Sequence, residues 1–189
     1  MLNLKRLFDL ALSLPIITIL IPLFFFIGIL VKLDSKGPFF FISVRVGING
    51  NKFKMIKFRT MYLDTKLIES NKIQLSNKIT TRVGKILRNY SLDELPQFLN
   101  VLIGDMSIVG PRPSLLSQTD LNASRKKIGI SSLKPGITGL AQISGRDLIT
   151  TSQKLRYETE YLNNNNLLID LIILIKTFKI VLTKKGILH

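Results

Sequence analysis

Twenty-two consecutive residues, Leu10 to Val31, carry no charge, and this run limits the fold more than any other part of the chain. At about 1.5 Å of rise per residue, a helix of that length extends about 33 Å and matches a hydrocarbon core roughly 30 Å thick. The run exceeds the apolar stretch of a cleaved signal peptide, and no A-x-A-like small-residue site follows it. Membrane association is therefore expected. Pro15 and Pro22 interrupt the run, and each removes one helical hydrogen bond. Lys5 and Arg6 precede it while Lys32 and Lys36 follow it, so positive charge marks both ends. That symmetry gives a crossing no preferred direction but suits a hairpin with both ends in the cytoplasm. An ordinary kinked transmembrane helix and a re-entrant helix broken at Pro22 both stay open on these features.

Composition narrows the chemistry. The 189 residues contain no cysteine, and the single histidine is His189. Thiolate nucleophiles, internal imidazole catalysis and zinc or iron sites built from those ligands are excluded. Any reaction must use carboxylates, hydroxyls, Lys/Arg and a hard, oxygen-loving cation. The net charge of +15 points to a polyanionic partner: nucleic acid, nucleotide phosphates or an anionic lipid surface. Compositional bias toward Ile, Asn and Lys would favour Glu as well. Glutamate occurs only at 69, 94, 158 and 160, so the basic excess is read as physical.

Beyond the first apolar run, residues 38–61 form two strand-like stretches around Ile48-Asn49-Gly50-Asn51, where Asn-Gly is the favoured hairpin signal. The second stretch carries Lys52, Lys54, Lys57 and Arg59, either a solvated basic strand or a phosphate-facing patch. Residues 62–80 are polar and aperiodic, a surface excursion. Helical character resumes near Arg82, and Lys134 to Gly139 reads as another tight turn leading to Gly145-Arg146. The stretch from Leu167 to Gly186 is apolar except for one face bearing Lys176, Lys179 and Thr183. Asp170 and those lysines oppose a crossing; a core helix and an interfacial helix both remain open, with the basic face favouring the interface.

The most informative segment is Ser91 to Pro113, SLDELPQFLNVLIGDMSIVGPRP. Asp93-Glu94 is an adjacent carboxylate pair, and Arg112 lies between Pro111 and Pro113, whose rings restrict the backbone. Ser91-x-x-Glu94 also matches a capping box, so the acids could simply start a helix. The catalytic reading divides the labour between a nucleophile and a ligand for Mg²⁺. A carboxylate approaching a diphosphate is repelled until cations neutralise the phosphate oxygens, and Lys57, Arg59, Arg112 and Arg146 are cations of the required kind.

The chain resembles the monotopic phosphoglycosyl transferases, bacterial sugar transferases that start lipid-linked glycan assembly. The resemblance runs from about Lys5 through the final helix and rests on KRLFD, KGPFFF, KFRTM, TRVGKILRNYSLDELPQFLNVLIGDMSIVGPRP and KPGITGLAQISGR, in that order. It implies that Asp93 attacks the β-phosphorus of a UDP-sugar, releasing UMP and forming an aspartyl phosphosugar. A polyprenyl (undecaprenyl) phosphate then displaces the phosphosugar. Glu94 would hold Mg²⁺, Arg112 would bind a substrate phosphate, and Lys57, Arg59 and Arg146 would line the site. Glu158 would support it, standing where such proteins typically have an aspartate three residues before a tyrosine, here Tyr161. Ile21 precedes Pro22 where the family usually has serine, and Ser43, Leu140 and Ser144 replace its common glutamine, tryptophan and asparagine.

The expected architecture is helix-rich α/β. Residues 1–36 form a re-entrant membrane helix-break-helix. Residues 37–189 form a small cytosolic, membrane-associated catalytic domain with a short β-hairpin and interfacial amphipathic helices. The chain is expected to be the short, minimal form, without the extra N-terminal helical domain of larger relatives. It would sit on the cytoplasmic face of the bacterial inner membrane. The alternative is a non-enzymatic, membrane-anchored basic module binding anionic lipid or nucleic acid. Nucleic acid is disfavoured, because the chain has no tryptophan and no aromatic-basic stacking platform.

Overall fold

A computed structural model of the chain describes residues 4–63, 79–145 and 148–183. Helix α1 runs from Leu4 to Asp34 without interruption and carries both prolines within it. The expected break at Pro22 is thus not a helix end. A proline lacks only its own N–H, so the bonds on either side can carry the helix past it with at most a bend. Among the described residues α1 is the one helix long and apolar enough to cross a membrane. Its buried residues form two groups, Asp9 with Ser13 and Ile27 with Gly28 and Val31; none between Leu14 and Phe26 is buried.

Both ends of α1 are bonded to the rest of the protein. At the first, Arg6 Nη1 and Nη2 donate to the carbonyls of Val101 (2.5 Å) and Leu102 (2.8 Å), at the end of helix α3 (Gln97–Ile103). Val101 O also accepts from Gly104 N at the C-cap (3.1 Å), and the guanidinium reaches both carbonyls of this last turn at once. Asp9 Oδ1 accepts from Ile108 N (3.0 Å) and Ser107 Oγ (3.1 Å), on strand β3 (Ser107–Val109). At the second end, Asp34 Oδ2 accepts from Val83 N (2.8 Å) in the first turn of α2 (Arg82–Asn89).

The expected hairpin is present: β1 (Phe40–Val46) and β2 (Lys52–Phe58) pair antiparallel, Phe41 opposite Lys57 and Arg45 opposite Phe53. Asn49 (φ 54°) and Gly50 (φ 80°) supply the two left-handed residues that a tight hairpin needs. Phe58 is buried with Ile27, Val31 and Leu87, and Phe24, Phe39 and Phe40 pack against that cluster. The hairpin therefore sits on the second end of α1. Truncating Phe58 to alanine would cost about 3–5 kcal/mol.

The segment expected to be a tight turn, Lys134–Gly139, instead contains strand β4 (Gly136–Thr138), parallel to β3. Gly136 permits this approach. A Cβ there would come within 2.1 Å of Gly110 N, so any side chain would force the two backbones apart. Helix α4 (Thr119–Ile128) lies in the crossover between these strands. Helices α5 (Leu140–Ile143), α6 (Thr151–Asn164) and α7 (Leu167–Thr183) follow. Thr150 begins α6 with a capping box completed by Gln153.

The main core joins Phe53, Met55, Val101, Met106, Ile108, Val109, Tyr161 and Ile173. Helix α7 buries Asp170 and Ile173, while Leu168, Leu171, Ile172, Ile175 and Phe178 are exposed beside Lys176 and Lys179. It is thus a core helix on one side, with an apolar and basic surface on the other. Most of the expected surface excursion, residues 64–78, lies outside the described residues.

Candidate active site

The two carboxylates do not cap α3. They occupy a 3-10 turn, Leu92–Glu94, with Ser91 before it in a left-handed conformation (φ 55°) and making no side-chain capping bond. Pro96 then stands at the N-cap of α3, where a missing N–H costs nothing. The capping-box pattern is therefore not used as one, and both acids are free to face the hairpin.

Lys57 meets them from β2. Its Nζ donates to Glu94 Oε1 at 2.7 Å and stands 3.9 Å from Asp93 Oδ2. Arg112 donates to the same carboxylate through Nη2 to Oε1 (2.8 Å) and Nη1 to Oε2 (3.4 Å). Arg112 is the outermost of the four, its side chain 37% exposed against 12% for Asp93. The result is an asymmetric pair. Glu94 is neutralised by two cations, whereas among the described residues Asp93 has one ion pair, a long one, with Arg88 and Arg112 acting on it from further away.

Electrostatics follow that asymmetry. Burial alone would push the Glu94 carboxyl up, but Arg112 and Lys57 hold it well below the usual carboxylate range. Burial pushes Asp93 above that range; Lys57 draws it back, and the neighbouring Glu94 charge raises it again. Two acids in one environment are thus driven apart, the arrangement that assigns different tasks to chemically similar groups.

Two further cations belong to the cluster and were not picked out from sequence. Arg45 lies on the same face of the hairpin as Lys57, since Phe41, Ser43 and Arg45 alternate on β1 and Phe41 is opposite Lys57. Val46 N bonds Ser114 O at 3.1 Å, which brings this end of β1 alongside the Arg112 segment. Burial and then Arg112 lower the Arg45 guanidinium to about 10, with Glu94 opposing. It remains charged at neutral pH, and its Nε donates to Ser43 Oγ at 3.2 Å. Arg88, on α2, is lowered by burial while Asp93 and Glu94 oppose, and its Nε donates to Thr60 Oγ1 at 2.9 Å. Hairpin alternation could have revealed Arg45; nothing local marks Arg88. Four cations therefore face two carboxylates, an excess that suits an incoming dianion.

The other expected site residues fall elsewhere. Strand β2 ends at Phe58, so Arg59 no longer follows the alternation that aims Lys57 at the acids. It is buried, its guanidinium donating to Lys36 O (2.5 Å), Ser35 O (2.7 Å) and Ser35 Oγ (3.0 Å) just beyond α1. Glu158 is buried on α6 and pairs with Arg125 of α4, Nε to Oε2 at 2.8 Å and Nη2 to Oε1 at 2.5 Å. Arg125 Nη2 also donates to the carbonyl of Arg112 at 3.0 Å. Arg146 lies outside the described residues.

The donor set bears on Mg²⁺. Among the described residues no group of three or more carboxylate, histidine or thiolate ligands is present, so no all-protein cage exists there. Asp93 and Glu94 form a pair of hard oxygen donors. Such a pair fits an ion that takes one or two carboxylates and completes its octahedron with water and substrate phosphates.

Comparison with known proteins decides the family: residues 1–184 match bacterial sugar transferases. The chain belongs to that family. The transferase is 39% identical to the exopolysaccharide production protein ExoY of Sinorhizobium fredii, over 96% of this chain and 87% of ExoY. It is 40% identical to the uncharacterized sugar transferase EpsL of Bacillus subtilis, over 97% of this chain and 90% of EpsL. It is 44% identical to the UDP-glucose:undecaprenyl-phosphate glucose-1-phosphate transferase of Klebsiella pneumoniae, over 83% of this chain and 34% of that longer protein. A transferase with a buried carboxylate pair sets aside the reading of a non-enzymatic basic module.

Proposed function

We propose that this transferase moves a sugar 1-phosphate from a UDP-sugar to a polyprenyl phosphate such as undecaprenyl phosphate, through a covalent intermediate on Asp93. The observation that carries this reading is the division between the acids: Glu94 is taken by Lys57 and Arg112, while Asp93 is buried with its closest cation 3.9 Å away. A carboxylate held in place but not locked into an ion pair is the one able to attack phosphorus.

In the first step an Asp93 oxygen forms a bond to the β-phosphorus. The bond from that phosphorus to the bridging oxygen breaks, and UMP leaves with the electron pair. In the second step a phosphate oxygen of the lipid attacks the same phosphorus. The Asp93–phosphorus bond breaks, regenerating the carboxylate and giving a polyprenyl-diphosphate sugar. No net proton is consumed. Arg112 and Lys57, with Arg45 and Arg88 behind them, offset the repulsion between an anionic nucleophile and an anionic diphosphate. Glu94 would hold Mg²⁺ once substrate phosphates draw Lys57 and Arg112 away from it, and the ion when bound neutralises phosphate oxygens. The substrate lipid implies the cytoplasmic membrane. We read α1 as re-entrant, supported by its two ends being bonded to one folded unit. We read the exposed apolar and basic side of α7 as lying in the membrane interface.

The test is to incubate the full-length protein in nanodiscs with undecaprenyl phosphate, Mg²⁺ and a panel of UDP-sugars, measuring UMP and UDP separately. UMP release abolished by Asp93→Ala is expected. Omitting the lipid should leave a sugar-phosphate adduct on the peptide containing Asp93. Release of UDP instead would mean direct glycosyl transfer and sink the aspartyl route.

A further inference from the structure

The segment that ends in Arg112 is fixed at every residue. Ser107 N donates to Pro135 O (2.9 Å), Ile108 N to Asp9 Oδ1 (3.0 Å) and Gly110 N to Thr138 O (2.8 Å). Past Gly110 the chain loses donors, because neither Pro111 nor Pro113 has an N–H. What can be held from outside are the carbonyls. Pro111 O accepts from Gly136 N (2.8 Å), and Arg112 O accepts from Arg125 Nη2 (3.0 Å). The bond at Arg112 itself is the only one of the series made by a charged side chain that donates.

That side chain is in turn aimed by Glu158. The carboxylate takes Nε and Nη2 of Arg125 together, a two-point grip that sets the plane of the guanidinium and leaves Nη2 pointing at Arg112 O. The pair is nearly dry, the Arg125 side chain 9% exposed and that of Glu158 2%. Removing two charges from water offsets most of their attraction, so such a pair is a poor device for stability alone. Its value lies in direction. Tyr161, one turn after Glu158 on α6, fastens the same helix to the core: its hydroxyl donates to Asp170 Oδ1 (2.6 Å) and lies 3.3 Å from Val109 O, while Lys5 Nζ donates to it at 3.1 Å. Helix α6 is thus anchored before it reaches for the Arg112 segment.

We propose that Arg125 and Glu158 are positioning residues for Arg112, fixing where its guanidinium meets the substrate phosphate. This rests on the phosphate-binding role of Arg112 given above. An error of about 1 Å in such a group can cost about a hundredfold in rate, so the pair acts on catalysis out of proportion to its effect on folding.

A double-mutant cycle on the full-length protein in nanodiscs tests this, with UMP release giving kcat and KM and thermal unfolding read in parallel. Arg125→Lys keeps the charge but cannot bridge Glu158 and Arg112 O together. It should lower kcat/KM by about 10- to 100-fold. In an Arg112→Lys background the same change should cost no more than about threefold, because the group being aimed is already gone. Glu158→Gln, which keeps the volume, runs the same cycle should Arg125→Lys fail to fold. Equal losses in both backgrounds, a lowered melting temperature with kcat/KM retained, or collapse of both variants would each overturn the proposal in favour of a purely structural pair. Arg112→Lys alone separates the two levels of argument. If it leaves kcat/KM unchanged, Arg112 does not hold substrate and the positioning role falls with it. If it is impaired while Arg125→Lys and Glu158→Gln are not, only the positioning role falls.

Discussion

At the scale of single residues, the opposed environments of Asp93 and Glu94 give a signed expectation for pH. For the proposed attack Asp93 must be anionic, and burial with the Glu94 charge raises its pKa above the ordinary carboxylate range of about 4. Activity on the free enzyme should therefore fall on acidification earlier than an exposed aspartate would allow. The acid limb of kcat/KM for the UDP-sugar reports this, since it follows groups of the free enzyme. Lys57 is the strongest influence drawing Asp93 back down. Lys57→Met should move that limb to higher pH, and a limb that stays in place would mean that Asp93 is not the titrating group. Arg45 carries a second residue-scale expectation. It is charged, close to Arg112 and without a carboxylate partner of its own among the described residues. Arg45→Gln should raise KM for the UDP-sugar about tenfold, the loss expected for one charge-assisted contact to phosphate, and leave thermal stability within a few degrees.

At the scale of elements, the feet of α1 show why a short charged motif flanks an apolar run. Positive flanking residues are read from sequence as topology signals, yet Arg6 closes the end of α3 and Asp9 holds the first residues of β3. Asp9→Ala would leave buried Ile108 N and Ser107 Oγ without their acceptor, at a cost of about 1–3 kcal/mol. Asp9→Asn keeps an acceptor oxygen at the same place. Thermal unfolding of the two variants should show a clear loss for alanine and a smaller one for asparagine; equal losses would mean that the charge, not the bond, matters. The contrast between β2 and β4 explains what the sequence could reveal of such elements. Asn49-Gly50 prescribes its turn locally, so the hairpin and the face of Lys57 were legible. Strand β4 exists only because Gly136 and Gly110 allow two distant segments to touch, and a Pro-Gly pair alone reads as a turn. The same reasoning holds in the site. Asp93, Glu94 and Arg112 lie in one motif, whereas Arg88 and Arg125 gain their roles from contacts across the fold.

At the scale of the whole molecule, the decisive question is how a helix of 31 residues can be fastened at both ends to one small body. A straight crossing would hold Arg6 and Asp34 on opposite sides of the bilayer, yet Arg6 is bonded to α3 and Asp34 to α2, seven residues apart in sequence. A helix lying flat on the domain would bury a face along its length, but no residue from Leu14 to Phe26 is fully buried, only Leu23 and Phe24 of that stretch pack on the Phe58 cluster, and Ile19 and Phe25 are 75% and 72% exposed. In the re-entrant reading proposed above, the middle of α1 enters lipid and both ends come back, with Pro15 and Pro22 as the places where a helix bends most readily. The absence of native cysteine makes this directly measurable. Single replacements Leu4→Cys and Lys36→Cys, both at exposed positions, should react with a membrane-impermeant maleimide from the cytoplasmic face alone. Ile21→Cys, beside the central proline, should be shielded from both faces. Labelling of positions 4 and 36 from opposite faces would establish a crossing, and the bonds to α2 and α3 could not then both form in the membrane-bound protein. Labelling of all three from the cytoplasm would place α1 along the surface instead. The first pattern lets one folded body hold both ends of α1, buries the apolar middle of the helix in lipid, and keeps the carboxylates within reach of a lipid phosphate at the membrane surface.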